Sequence, residues 1–272
     1  MTHYSLLIGS SGGGFAATSF VELTSGSSTF SVPTGYNAIH IQYAVGAGGG
    51  AMRGADYDKA GGESAGAGGG SGAFISDKIF SVTAGETITY SVGAGGARGT
   101  GVYSGSAGDG TDTTLSGSTT GAIFTLSGGG GSSCAGGGVQ GPLRTNTAGT
   151  AGTATIDGTA ITSGIFSDSD NSIKNVTSNT SGPTSTFNDS GNGAAGDLTG
   201  TGNSGGDNVS IAGFDGGDSY SGNVPGGAGA PIGGSSTAGT RGSGGGGGSG
   251  SPTTDGSAGG NGEMKYRFLQ VI

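Results

Sequence analysis

Tryptophan is absent from this chain, cysteine occurs once, proline 6 times, and only 10% of the residues are charged. Each scarcity excludes something. Cys134 has no second thiol to pair with, so no internal disulfide framework holds the chain together. Lys and Arg total 9 against 18 Asp and Glu, a net charge of -9. That balance gives no basic footprint for a phosphate backbone, and nucleic acid is not an expected partner. No apolar run reaches about 18 residues, so no helical span and no membrane insertion are expected. Residues 1–10 lack a cationic stretch followed by an apolar run; no signal peptide is expected, and synthesis in a cytoplasm is.

Glycine is what the chain has instead, 70 of 272 residues. Glycine costs up to about 1 kcal/mol per helical position relative to alanine, and no helix-forming window offsets it. Collagen is excluded, because its triple helix needs glycine at every third place throughout and abundant proline. The expected fold class is therefore all-β, with essentially no α-helix.

Two textures alternate. The first is β. Residues 20–23, 29–32, 74–80, 87–92, 122–126 and 264–272 are rich in β-formers, and Ile39, Ile41, Tyr43 and Val45 alternate at period two. Residues 84–86 (AGE) read as a hairpin turn joining 74–80 to 87–92. A lone terminal strand cannot satisfy its backbone groups, so 264–272 is expected to return to the N-terminal strands.

The second texture is glycine at a spacing of three: Gly66, Gly69, Gly72; Gly93, Gly96, Gly99; Gly239, Gly242, Gly245, Gly248; and Gly256, Gly259, Gly262. Three residues per turn is the period of the polyproline II helix, which has no internal hydrogen bonds. Such segments are either flexible linker or rods packed side by side as polyglycine II helices, close enough to share backbone hydrogen bonds. One rod alone could not offset its ordering entropy; many could together. Irregular stretches at 52–59, 100–104, 139–147, 163–189 and 214–225 punctuate the runs at lengths suited to turning the chain back. Linker would not need that punctuation, so packed rods are the expectation. The segments YAVGAGG (43–49) and YSVGAGG (90–96) echo each other, each a strand feeding a rod.

Motifs of chemistry are weak. Gly46-x-Gly48-x-x-Ala51 fits a dinucleotide turn, but no helix follows to hold a pyrophosphate. Gly108-x-Gly110-x-Asp112 resembles part of a calcium β-roll repeat, occurring once and incomplete. The segment Asp168-Ser169-Asp170-Asn171 lacks the glycine and distal glutamate of an EF-hand loop; Asp215 and Asp218 likewise read as solvated. His40 reads as a surface histidine and Cys134 as a small packed residue. No catalytic constellation, metal site or cofactor site is expected.

What remains is surface. The interruptions carry Arg53, Tyr57, Tyr103, Arg144, Phe166, Phe187, Phe214 and Tyr220 among Ser, Gly and Asn. Rigid aromatics among adaptable polar residues are the palette of binding loops, although aromatics there could instead pack down on the rods. These eight residues are the candidate receptor-binding set.

Residues 20–50, 68–101, 108–115 (GDGTDTTL), 121–131 (GAIFTLSGGGG) and 259–266 (GGNGEMKY), in that order, resemble the glycine-rich domain of bacteriophage and prophage tail-fibre tip proteins. More loosely, the chain is similar to the distal adhesins of T-even-like phages. The resemblance implies a polyglycine II sandwich with receptor-contacting loops between its rods. Residues 163–189 depart from that pattern, longer and poorer in glycine than such a loop needs, and read as a possible extra subdomain. The resulting organisation is an attachment segment at 1–19, with Tyr4, Leu6, Leu7 and Ile8 as docking residues, and a β-strand module with the first rods at 20–131. A glycine-rich body with variable loops follows at 132–262, then a returning strand at 263–272. The resemblance implies a virion protein of the tail fibre, held by other fibre proteins, that binds a bacterial surface glycan or outer-membrane protein without catalysis. A virion decoration or spacer that never meets the host is the alternative, and an ice-binding polyproline II protein a remoter one.

Overall fold

The computed structural model describes residues 16–57, 62–64, 66–101, 105–135, 145–161, 215–217, 219, 226–231, 234–248 and 254–271. The expected all-β class holds: the described residues contain strands and extended glycine segments and no helix.

Two sheets face each other. The first is built from β1 (Val21–Leu23), β3 (Ala38–Val45), β6 (Phe74–Ser81) and β15 (Glu263–Leu269), in the order β1-β15-β3-β6. The second takes β2 (Ser27–Ser31), β7 (Thr87–Ser91), β9 (Thr113–Gly117), β10 (Gly121–Leu126), β13 (Ala154–Ile156) and β14 (Thr159–Ile161), in the order β14-β13-β10-β9-β7-β2. All pairings within both are antiparallel. Ile39, Ile41, Ile75, Phe80, Met264 and Phe268 from the first sheet pack with Ile88, Leu115, Ile123, Phe124 and Leu126 from the second. Phe30 stacks on Tyr266 across the gap, ring centroids 4.7 Å apart. Full burial of each such side chain contributes about 1.5–3 kcal/mol, which is why the aliphatic residues of a glycine-rich chain concentrate here.

The last strand does return: β15 pairs with both β1 and β3, and Ala17 bridges Leu269. Two local expectations need correction. Residues 84–86 do not close a hairpin, because β6 pairs with β3 in the first sheet while β7 pairs with β2 and β9 in the second. The connection is a corner between sheets, tied to the neighbouring β2–β3 corner by Val32 N–H to Glu86 O and Gly85 N–H to Val32 O, 2.9 and 3.0 Å. The alternation along β3 also breaks. A bulge at Gln42 shifts the register, so Ile39, Ile41 and Ala44 face the core while Tyr43 turns to the outer face.

From these sheets the glycine segments run as a bundle, as the packed-rod reading requires. Segment 46–54 is its centre, and its hydrogen bonds repeat every three residues. Gly46, Gly49 and Met52 donate to Ala73, Gly70 and Ala67; Ala47 and Gly50 to Thr111 and Gly108; Gly48, Ala51 and Gly54 to Gly260, Ser257 and Thr254, all at 2.7–3.2 Å. Its carbonyls accept at the same period: Ala47 and Gly50 from Gly129 and Ser132, Gly48 and Ala51 from Gly96 and Gly99, Gly49 and Met52 from Gly245 and Gly248. The central rod therefore donates to three antiparallel neighbours and accepts from three parallel ones. Only a three-fold helix aims successive peptide groups this way, and only glycine allows the approach: a Cβ on Gly48 would stand within bonding distance of the Ser243 carbonyl. Rods from 66–132 and from 215–262 interleave in one lattice.

Gly239, Gly242, Gly245 and Gly248, read as one register, are split by a turn. Arg241 (φ 44°) and Gly242 (φ 79°) adopt left-handed backbone, Ser243 N–H donates to Thr240 O, and a second rod begins.

Candidate functional site

The rods have a sheet end and a far end. Segment 46–54 leaves β3 and 66–73 enters β6; 93–101 leaves β7 and 107–112 enters β9; 127–132 leaves β10 and 148–153 enters β13. The antiparallel bonds of each pair place Gly54 with Gly66, Gly101 with Ala107, and Ser132 with Ala148 together at the far end. Short strands mark that end: β4 (Ala55–Tyr57) with β5 (Gly62–Ser64), and β8 (Gly105–Ser106), β11 (Ser133–Ala135) and β12 (Thr145–Thr147) in a small sheet. Gly248 and Thr254 lie there too, since Gly54 bonds Thr254 and Gly66 bonds Gly248.

Arg53 stands where the central rod reaches this end. Its Nε lies 3.4 Å from Asp255 Oδ1, while Arg98 Nη1 reaches Asp255 Oδ2 at 2.7 Å. All three side chains are partly exposed (34%, 54% and 37% for Arg53, Arg98 and Asp255). Two guanidiniums on one carboxylate form a polar group carried on rods that are hydrogen-bonded to one another. Arg98 and Asp255 were not legible from the sequence, because what brings them together is the lattice and not spacing along the chain. Tyr57 lies in β4, its Cα opposite Gly62. Tyr103, Arg144, Phe166, Phe187, Phe214 and Tyr220, and Tyr4, Leu6, Leu7 and Ile8, lie outside the described residues. Ser219 is at the sheet end: a Cβ on Gly242 would come within 3.4 Å of its Oγ.

Met52, placed in an interruption by the sequence reading, is instead fully buried and packs with Ala107 and Cys134 below the far end. Ser132 is fully buried beside it, its hydroxyl accepting from Met52 N–H at 2.8 Å and donating to Ala67 O at 2.7 Å.

The remaining polar groups are occupied structurally. Fully buried Thr113 accepts from Gly93 N–H (3.0 Å) and donates to Val45 O (2.8 Å), joining the two points where a strand becomes a rod. Glu86 is buried and accepts from Thr83 N–H, Thr119 N–H, Thr120 N–H and the Thr120 hydroxyl at 2.6–3.0 Å. Burial alone would raise its pKa; the Thr120 hydroxyl and the three N–H groups outweigh it and hold the carboxyl below its ordinary value. Glu263 behaves oppositely. Burial, then its neighbour Glu22, raises its pKa against the Tyr43 hydroxyl at 2.5 Å and Arg241 Nε at 3.2 Å. His40 is no open base: Nδ1 accepts from Arg267 Nε at 3.1 Å and Nε2 sits 3.5 Å from Asp77. Burial, then Arg267, lowers its pKa. Asp109, Asp112 and Asp215 accept backbone N–H groups of Gly131, Gly128 and Gly229. Asp215 is thus a bonded residue, not merely a solvated one. Among the described residues no group of three or more His, Cys, Asp or Glu is placed to hold a metal ion.

A family model described as a glycine-rich domain matches residues 22–269. No curated protein matches the sequence.

Proposed function

From the premise that the chain belongs to the glycine-rich domain family, we propose that it is a recognition tip of a phage tail fibre. It binds a bacterial surface glycan or outer-membrane protein through its far end, without catalysis. One observation carries the reading: the rods that leave β3, β7 and β10 and those that enter β6, β9 and β13 end together opposite the sheets, beside the short strands β4, β5, β8, β11 and β12, on a scaffold whose peptide groups are bonded to one another in three directions. Loops on a rigid frame can vary without cost to the frame, and recognition concentrates in such loops. Within this proposal the sheet end and residues 1–19 face the other fibre proteins, and many copies per virion convert weak contacts into avidity.

The test replaces residues 55–65 and 102–106 by Gly/Ser sequences of equal length, in virions, and measures adsorption. Adsorption should fall while the isolated protein keeps its unfolding midpoint. Unchanged adsorption with intact particles refutes recognition through this end and leaves the spacer reading.

A further inference from the structure

In the interior of the bundle, N–H groups three residues apart donate to a neighbouring rod, as Gly49 and Met52 donate to Gly70 and Ala67. Gly128 and Gly131 present the same pair on segment 127–132, which is partly exposed at both positions. Among the described residues no rod receives them. Asp112 Oδ1 accepts from Gly128 N–H at 3.1 Å and Asp109 Oδ1 from Gly131 N–H at 2.7 Å. The two aspartates are themselves three apart, on 107–112, which runs antiparallel to 127–132 through Gly110 N–H to Gly129 O and Ala107 N–H to Ser132 O. Period and direction both match, so two exposed carboxylates stand where the carbonyls of one more rod would stand.

The arrangement recurs around the bundle. Gly95 N–H donates to Asn261 Oδ1 (2.9 Å), Gly229 N–H to Asp215 Oδ1 (2.6 Å), Ala94 N–H to Thr111 Oγ1 (2.7 Å) and Ala228 N–H to Thr237 Oγ1 (2.7 Å). A polyglycine lattice has no intrinsic boundary: any exposed N–H ladder can accept another rod, as an open sheet edge accepts another strand.

We infer that Asp109 and Asp112 terminate the lattice, occupying the N–H ladder of Gly128 and Gly131 that a glycine rod from a second copy of this chain would otherwise take. Their charge adds to the block, because the carbonyl oxygens of an incoming rod would meet carboxylates. The Gly-Asp-Gly-x-Asp segment at 108–112, a fragmentary calcium motif in the sequence, acquires a role that needs no ion.

Sedimentation velocity over a concentration series tests this on the whole protein. Asp109→Ala/Asp112→Ala should self-associate more than wild type, by about five- to tenfold in association constant per hydrogen bond gained between copies. Asp109→Asn/Asp112→Asn, which keeps the acceptor oxygens and loses only the charge, should associate far less than the alanine pair. A folded alanine pair that sediments as wild type overturns the inference. An asparagine pair that associates as strongly as the alanine pair also overturns it, since charge alone would then be the barrier. Should the alanine pair fail to fold, amide exchange in the wild type decides. Gly128 and Gly131 should exchange slowly despite their exposure, and rapid exchange at both refutes the cap.

Discussion

Alanine at Gly49 puts the lattice to its severest test. The new Cβ would lie 2.1 Å from Gly130 O, 2.4 Å from Gly130 C and 2.8 Å from Gly131 N, all backbone atoms. Ordinary contact begins near 3.4 Å, so segment 127–132 must withdraw by about 1.3 Å. Two hydrogen bonds hold it to the central rod, Gly129 N–H to Ala47 O at 2.8 Å and Ser132 N–H to Gly50 O at 3.0 Å, and that shift breaks both. The groups are buried and cannot turn to water. The two broken bonds leave four buried groups unpaired; at about 1–3 kcal/mol for each, the destabilisation is about 4–12 kcal/mol, comparable to the roughly 5–15 kcal/mol that holds a domain together. Equilibrium denaturation of Gly49→Ala beside Gly158→Ala measures it. Gly158 has nothing within 4 Å of the Cβ position and a φ of 72°, so alanine there costs about 1–2 kcal/mol of backbone strain alone. A Gly49 variant no less stable than the Gly158 variant would refute the close-packed bundle.

Thr113→Val keeps the shape of the side chain but orphans Gly93 N–H and Val45 O, and should cost about 2–4 kcal/mol in urea denaturation. Glu86 has a lowered folded pKa, so its contribution is present above the ordinary value of 4.5 and is lost as pH falls through the folded value. Denaturation curves between pH 6 and about pH 3 should show this loss in the wild type and a flatter profile in Glu86→Gln. Glu263 has a raised pKa, so its contribution is full below 4.5 and is lost as pH rises through the folded value. Glu263→Gln should therefore gain on the wild type in relative stability between about pH 4 and pH 8, and a parallel pair of profiles would contradict the assignment.

Glycine content and its triplet spacing by themselves determine the class of this protein. Helix was ruled out by cost, and the aliphatic clusters at 39–45, 74–80 and 264–269 could only be strands. Terminal-strand return followed from the need to pair its backbone. What the sequence did not carry was which rod touches which. A glycine has no side chain to encode a partner, so the pairing of Gly49 with Gly70 and Gly245 is set by where the strands deliver each rod. The short strands β9, β13 and β14 were missed for a related reason: Thr, Ser, Ala and Gly give little periodicity to read. Gln42 and the corner at 82–86 show the same limit, since a bulge and a change of sheet are decided by the two-layer core and not by local propensity. Arg53, Arg98 and Asp255 meet only because the rods that carry them share a lattice. Composition thus chose the kind of structure, through entropy and hydrogen bonding that every glycine shares, while neighbours were chosen by tertiary geometry, the only place where one glycine differs from another.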